Sequence, residues 1–303
     1  MQLQQLLSEI LPATSYSHRS DLGVISVMGP DSAKLLQGQT TADMKLVSEQ
    51  SSTFGAVCTP KGRIIANFFI VQTASEAYQL VLKLDVLDTL LAHLKKYAVF
   101  FKTELNNVSE QFHVSSMFAL TDNTTPQEQY ELAILTTHQD GCSQLILNNT
   151  YYQETLTVAP VTEELPDAED PAAHQVMGLL AARPLIGESL REEILPQWIN
   201  MHRNGGISFT KGCYTGQEIV ARMKYRGKSK KHLALAVSDN SLTIGSSVAN
   251  EEDKTIGEIF DVAQIGTVTV AQLILNVDQS EVTSAVSEGN EIQLIPLPYV
   301  LGN

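Results

Sequence analysis

The sequence is short of aromatic side chains, of cysteine and of positive charge. Aromatics make up 6% of 303 residues, with a single tryptophan, Trp198. Composition therefore offers no platform of rings for stacking nucleic-acid bases. Cysteine occurs three times, at Cys58, Cys142 and Cys213, with no CxxC pair. That spacing argues against a cysteine-built zinc site and a disulfide framework, and for reduced thiols in a cytosol-like compartment. It is also a poor scaffold for a permanent iron–sulfur cluster. Lysine and arginine number 20 against 34 aspartates and glutamates, a net charge of −14. Such a balance speaks against generic nucleic-acid binding. Apolar runs are strand-sized, as at 64–71, and too short to span a bilayer. The start, MQLQQLLSEI, has neither a positive n-region nor a long apolar stretch, so no secretory signal is expected. These absences lead to the expectation of a soluble cytoplasmic protein.

What is present is enough apolar material, 43%, for two or three packed units. The first half alternates strand-like and helix-like segments, an α+β pattern. Strands are expected at 22–28, 53–58, 64–73, 78–83, 112–120, 131–136 and 144–147, with a turn Thr59-Pro60-Lys61-Gly62 inside a hairpin. Short helices are expected at 30–37 and 172–182. A longer amphipathic helix over 85–97 carries Val86, Leu87, Leu90, Leu91 and Leu94 on one face. The acid- and proline-rich stretch 161–171 reads as a surface connection. After Lys231 the texture changes to short strands with polar turns, at 232–237, 255–263, 267–275 and 291–295, which suits a small β-barrel. The expected division is 1–165 as an α+β part of two interleaved subdomains, 166–230 as a segment with an unusual loop and helix, and 231–303 as the barrel.

That unusual segment is GGISFTKGCYTGQEIVARMKYRG, Gly205 to Gly227. Between Lys211 and His232 stand seven basic residues and one acid, Glu218, leaving 13 basic and 33 acidic residues elsewhere. A local charge of this kind is a candidate anion site, or simply a solvated basic edge. Thr215-Gly216-Gln217-Glu218 has capping-box spacing, which predicts a helix from Gln217 that ends near Gly227. Glu218 and Arg222 are placed for an i,i+4 ion pair. Cys213 then stands ahead of a helix N-terminus with Lys211 nearby, a setting that favours the thiolate. A lone cysteine can equally be a small buried hydrophobe. His202 lies eleven residues away in sequence, so spacing supplies no Cys–His dyad.

The string Lys211-Gly212-Cys213-Tyr214-Thr215-Gly216-Gln217-Glu218 resembles the signature of the YgfZ family. These proteins are related to the glycine-cleavage T protein, a folate-dependent aminomethyltransferase. The resemblance extends through Gly206-Ile207-Ser208-Phe209, Val220-Ala221-Arg222 and Arg226-Gly227, with Leu195-Pro196-Gln197 and Asn200 ahead of it. A second block, Leu35 to Asp43 (LLQGQTTAD), and a third, Cys58 to Arg63 (CTPKGR), resemble the family's N-terminal motif and hairpin. The resemblance implies three subdomains in a ring around a central cavity, closed by a β-barrel. It implies a tetrahydrofolate-like ligand in that cavity and support of iron–sulfur enzymes, including those that thiolate tRNA. Lys211 and Cys213 match its functional lysine and cysteine, with Cys213 as a transient metal ligand or a redox thiol. Tyr214, Gln217, Glu218, Arg222, Lys224 and Arg226 then become candidate ligand contacts, the cations suiting the carboxylates of a folate tail.

The sequence departs from that pattern at three places. Ala66-Asn67 stands where the T protein has paired aspartates, one of them essential for transfer, and an amide is no proton relay. An aminomethyltransferase is therefore not expected. Leu180 stands at the position of the carboxylate that anchors the pterin. Leu22 and His174 occupy positions where stacking tryptophans are expected in some members. Trp198 is expected in the core. Two alternatives remain open: a one-carbon transferase with a displaced acid, Asp43 being the candidate, and an RNA-binding module using Lys224 to Lys231.

Overall fold

The computed structural model describes residues 9–121, 125–164, 166–225, 229–279, 282 and 284–301. Ten strands, β1 (Thr14–His18), β2 (Leu22–Met28), β3 (Ser51–Cys58), β4 (Ile64–Ala74), β5 (Ala77–Lys83), β6 (Glu104–Asn107), β7 (Phe112–Leu120), β8 (Ala133–Gln139), β9 (Cys142–Asn148) and β10 (Tyr152–Pro160), form one antiparallel sheet. Its order is β1-β7-β10-β9-β8-β3-β4-β5-β2-β6. Only Ser51↔Leu135 and Ser52↔Ile134 join β3 to β8, so the sheet is two five-stranded halves on a narrow seam. The chain crosses between these halves twice more, from β1 to β2 and from β6 to β7. The β1–β2 turn, residues 19–21, therefore hangs over the gap between them.

Among the described residues α-helices decorate this frame: α1 (Ser32–Gln39), α2 (Leu84–Ala98), α3 (Pro171–Leu180) and α4 (Gln217–Tyr225). As the 3.6-residue spacing predicts, α2 buries Val86, Leu87, Leu90 and Leu94. It carries Asp85 in its first turn and Lys95 and Lys96 in its last, in keeping with the helix dipole. Six strands, β11 (His232–Ser238), β12 (Ser247–Ala249), β13 (Thr255–Ile265), β14 (Val268–Leu275), β15 (Ala285–Ser287) and β16 (Asn290–Ile295), close into the expected C-terminal barrel, with β11 pairing both β14 and β16.

The main core runs from the β7–β10 half through α3 into the barrel, and a second core lies between the other half and α1 and α2. The expected elements are present with shifted ends. Sequence reading missed β1, β6, β10, β12 and β15. The capping box is a correction: Thr215 Oγ1 donates to Gln39 Oε1 (3.4 Å), and the chain enters α4 through Gly216 at φ +84°. Glu218 and Arg222 form no ion pair among the described residues. Arg226 and Gly227 lie outside the described residues.

Candidate ligand cavity and signature loop

The three sequence blocks meet in space. Lys211, 7% exposed, reaches to the C-terminal end of α1. Its Nζ donates to the carbonyls of Gln37 (2.8 Å), Thr40 (2.6 Å) and Ala42 (2.6 Å). An ammonium at the unpaired Gln37 carbonyl of the helix end, and at the carbonyls of the chain just beyond it, is favourable on both hydrogen-bond and dipole grounds. Burial pushes its pKa down to about 8, with Asp43 pulling the other way. At neutral pH it keeps the three protons that the carbonyl cage needs. Thr41 Oγ1 donates to Gly206 O (2.6 Å) and accepts from Ala56 N (2.8 Å), fastening the lead-in of the loop to β3. Asp43 is braced by Gln37 Nε2 (3.1 Å) and Lys45 N (3.2 Å).

The hairpin block packs against α4. A Cβ on Gly216 would lie 2.5 Å from Thr59 O, and one on Gly62 (φ +74°) would lie 2.9 Å from Ile219 Cγ2. Close backbone approach and positive φ together require glycine at both positions. Cys58 is buried beneath, its thiol pushed up to about 12 by burial. The product is a braced loop on which Cys213 is exposed, Tyr214 is buried under the Lys211 ammonium (5.0 Å to the ring centroid) and Glu218 is exposed. Gln217 is half-buried. Arg222 is exposed, and Lys224 lies over the Phe209 ring at 3.7 Å. Trp198 packs against the edge of the main core and is half-buried, with Arg63 (4.9 Å) and Lys231 (4.4 Å) against its ring.

The enclosed space lies elsewhere. A cavity of about 510 Å³ opens beside the β1–β2 turn, walled by both sheet halves, α3, residues 181–185 and the barrel. A larger groove of about 670 Å³ flanks the same turn. Its lining comes only from 18–20, Leu22, Leu84 and 107–114, whereas the cavity draws on both sheet halves, α3 and the barrel. Leu22 and His174 both line the cavity. Lys211, Cys213, Tyr214, Gln217, Glu218, Arg222 and Lys224 do not. The loop packs instead where Gly216 and Ile219 meet the β3–β4 hairpin at Thr59 and Gly62. Asp43 is likewise absent from the lining.

At the cavity wall Arg19 holds Asp21 bidentately (2.8 and 2.9 Å), and Lys83 adds a third bond (2.7 Å). Burial alone would raise the Asp21 carboxyl, but Arg19 and Lys83 outweigh it and hold it well below the usual range. Asp261 of β13 faces the same space, raised by burial. His174, 5% exposed, shares contacts with Ser116 Oγ (2.8 Å) and Ser15 Oγ (3.5 Å) and tilts against Phe118 at 4.6 Å. Burial, with Arg19 nearby, pushes its pKa down to about 4, so it is neutral at pH 7. Sequence reading missed Glu154 and Arg183, which also line this space. Burial raises the first and lowers the second.

The positions flagged as departures are structural here. Asn67, fully buried, donates to Pro184 O (2.9 Å) and accepts from Ile186 N (2.7 Å). Leu180 is fully buried in the core and does not line the cavity. Among the described residues no cluster of three or more His, Cys, Asp or Glu could hold a metal ion, and no helix is long and apolar enough to cross a membrane.

A ten-stranded sheet with a closed barrel around such a cavity defines a T-protein-like fold. The crystal structure titled glycine cleavage system aminomethyltransferase T from Bartonella henselae matches it with a TM-score of 0.70 at 14% identity, covering 98% of this chain and 89% of that one. The GCVT N-terminal domain matches residues 15–118. At the sequence level, the tRNA-modifying protein YgfZ of Serratia proteamaculans is 30% identical over 98% of this chain and 96% of its own length. That of Vibrio atlanticus is 28% identical over 97% and 95%. The chain belongs to the YgfZ family.

Proposed function

We propose that this protein is a cytoplasmic, folate-binding accessory protein of tRNA modification, which supports iron–sulfur enzymes, including those that thiolate tRNA. The observation that carries the reading is the cavity of about 510 Å³ at the meeting of the sheet halves, α3 and the barrel, in a chain whose relatives are called tRNA-modifying. Its size suits a ligand of folate class. Leu22 and His174 serve as its walls. Cys213, exposed on a braced loop away from that cavity, is the group offered to a partner, as a transient metal ligand or a redox thiol. Lys211 holds that loop. Tyr214 and Gln217 serve as its packing, and Glu218, Arg222 and Lys224 belong to the partner-facing side.

Aminomethyl transfer is not part of the reading, because both amide atoms of Asn67 are tied to the backbone and no carboxylate stands in its place. The test is a deletion strain assayed for thiolated tRNA and complemented with wild-type or Cys213→Ala protein. The expected result is a deficit that the wild type restores and the variant does not. Normal thiolation in the deletion strain, or full rescue by the variant, would overturn the reading.

A further inference from the structure

The cavity contains two opposite charges that the protein does not pair. Glu154 lies on the inward row of β10 between Tyr152 and Leu156, opposite Phe118 of β7. It lines the cavity, where Ser116 hydrogen-bonds its carboxylate and Arg19 and Arg183 act on it through space, and among the described residues neither arginine forms an ion pair with it. The Arg183 guanidinium lies over the Tyr130 ring (4.5 Å to its centroid) and donates from Nε to Asn204 O (3.1 Å). Among the described residues its remaining fork has no carboxylate partner, and it lines the same cavity. The Asp21 carboxylate, by contrast, is fully taken up by Arg19 and Lys83.

Holding a half-buried acid and guanidinium apart is costly unless something completes both. An anion would satisfy Arg183 but face Glu154, and a cation would do the reverse. A neutral planar edge with an N–H beside a carbonyl satisfies both at once, the N–H donating to the carboxylate and the carbonyl accepting from the fork. We propose that Glu154 and Arg183 are the pair that reads the cavity ligand, and that they select a cyclic amide edge of the aminopyrimidinone type. The inference rests on the reading of this cavity as the ligand site. It supplies from β10 the ring-recognising carboxylate that Leu180 cannot provide. A reduced pterin and a guanine base both carry this edge, so the test separates them.

The experiment is calorimetric titration of the full chain with 5-formyltetrahydrofolate and, separately, with guanosine 5′-monophosphate. Wild type, Glu154→Gln, Arg183→Lys and the control Glu258→Gln, whose carboxylate sits outside the cavity beside Lys231, are compared. Thermal melting of the near-isosteric Glu154→Gln confirms its fold. The expected result is saturable binding of the folate by wild type and the control, weakened about tenfold or more in the two cavity variants, the range for a hydrogen bond to a charged group. Equal folate affinity in folded Glu154→Gln would overturn the pair while leaving the folate reading intact. Binding of the nucleotide alone, lost in both variants, would keep the pair and overturn the folate reading. Binding of neither probe would overturn both.

Discussion

The cavity and the signature loop treat charge in opposite ways. At the loop, Lys211 is consumed: all three of its protons go to backbone carbonyls, and the Cys213 thiol beside it is left outside. At the cavity, Glu154 and Arg183 are half-buried by the fold and left without an ion-pair partner among the described residues. The loop is therefore a finished structural joint that displays one side chain, and the cavity is an unfinished one that waits for a ligand. A residue in a recognisable motif need not touch substrate, while a residue in no motif can.

The comparison breaks most decisively at Lys211. Lys211→Met removes a charged donor from three carbonyls, of which Ala42 O keeps only Thr40 Oγ1 (3.3 Å), and should cost about 3 kcal/mol or more, read as a large fall in the urea midpoint. A midpoint near wild type would mean the cage contributes little, and the loop would no longer be the finished region.

The cavity has its own signature in acid. His174 has a folded pKa of about 4 against an ordinary 6.5. Between these values the unfolded chain takes up a proton that the folded chain refuses, so stability falls as pH drops from 6.5 to 4. The ceiling is about 3 kcal/mol at one unit per 1.36 kcal/mol. His202, also pushed down to about 4, first by burial and then by its cationic neighbours, has the same sign. Glu154, raised by burial, works in the opposite sense. His174→Gln should flatten part of this slope in melts taken at several pH values, and an unchanged slope would remove His174 from the account.

A smaller effect is expected at the hairpin joint. Gly216→Ala places a Cβ 2.5 Å from Thr59 O at a positive φ and should cost about 1–3 kcal/mol, measured by thermal melting. A neutral result would show that α4 can lift off the hairpin freely. The smallest effect on stability belongs to Cys213→Ser, within about 0.5 kcal/mol for an exposed side chain. The same variant should fail to restore tRNA thiolation, a split between folding and function that no Lys211 variant should show.

Much of the frame was legible in the sequence because periodicity and texture reflect burial directly. The apolar run of β4, the stripe of α2 and the short alternating strands after Lys231 each announce their element. The contact of the three blocks was legible only as resemblance, since nothing local in LLQGQTTAD says that its carbonyls close on a lysine far along the chain. β10 was missed for an instructive reason. Its inward row is Tyr152, Glu154, Leu156 and Val158, and the charge in second place breaks the alternation that marks a half-buried strand. The local rule fails where the strand serves the cavity. The capping box misled because a glycine with positive φ follows Thr215, and the threonine found a partner on α1 instead.

The Lys211 cage also sets an order of events during synthesis. Thr40 and Lys211 are 171 residues apart, and at roughly 5–20 residues per second the ribosome needs about ten to thirty seconds to deliver the second after the first. Throughout that interval the end of α1 is a socket without its plug. The N-terminal sheet can form, but the carbonyls of Gln37, Thr40 and Ala42 stay wet until the loop arrives. The nascent chain thus has a built-in delay, and the surface that displays Cys213 is assembled only when most of the protein has left the ribosome.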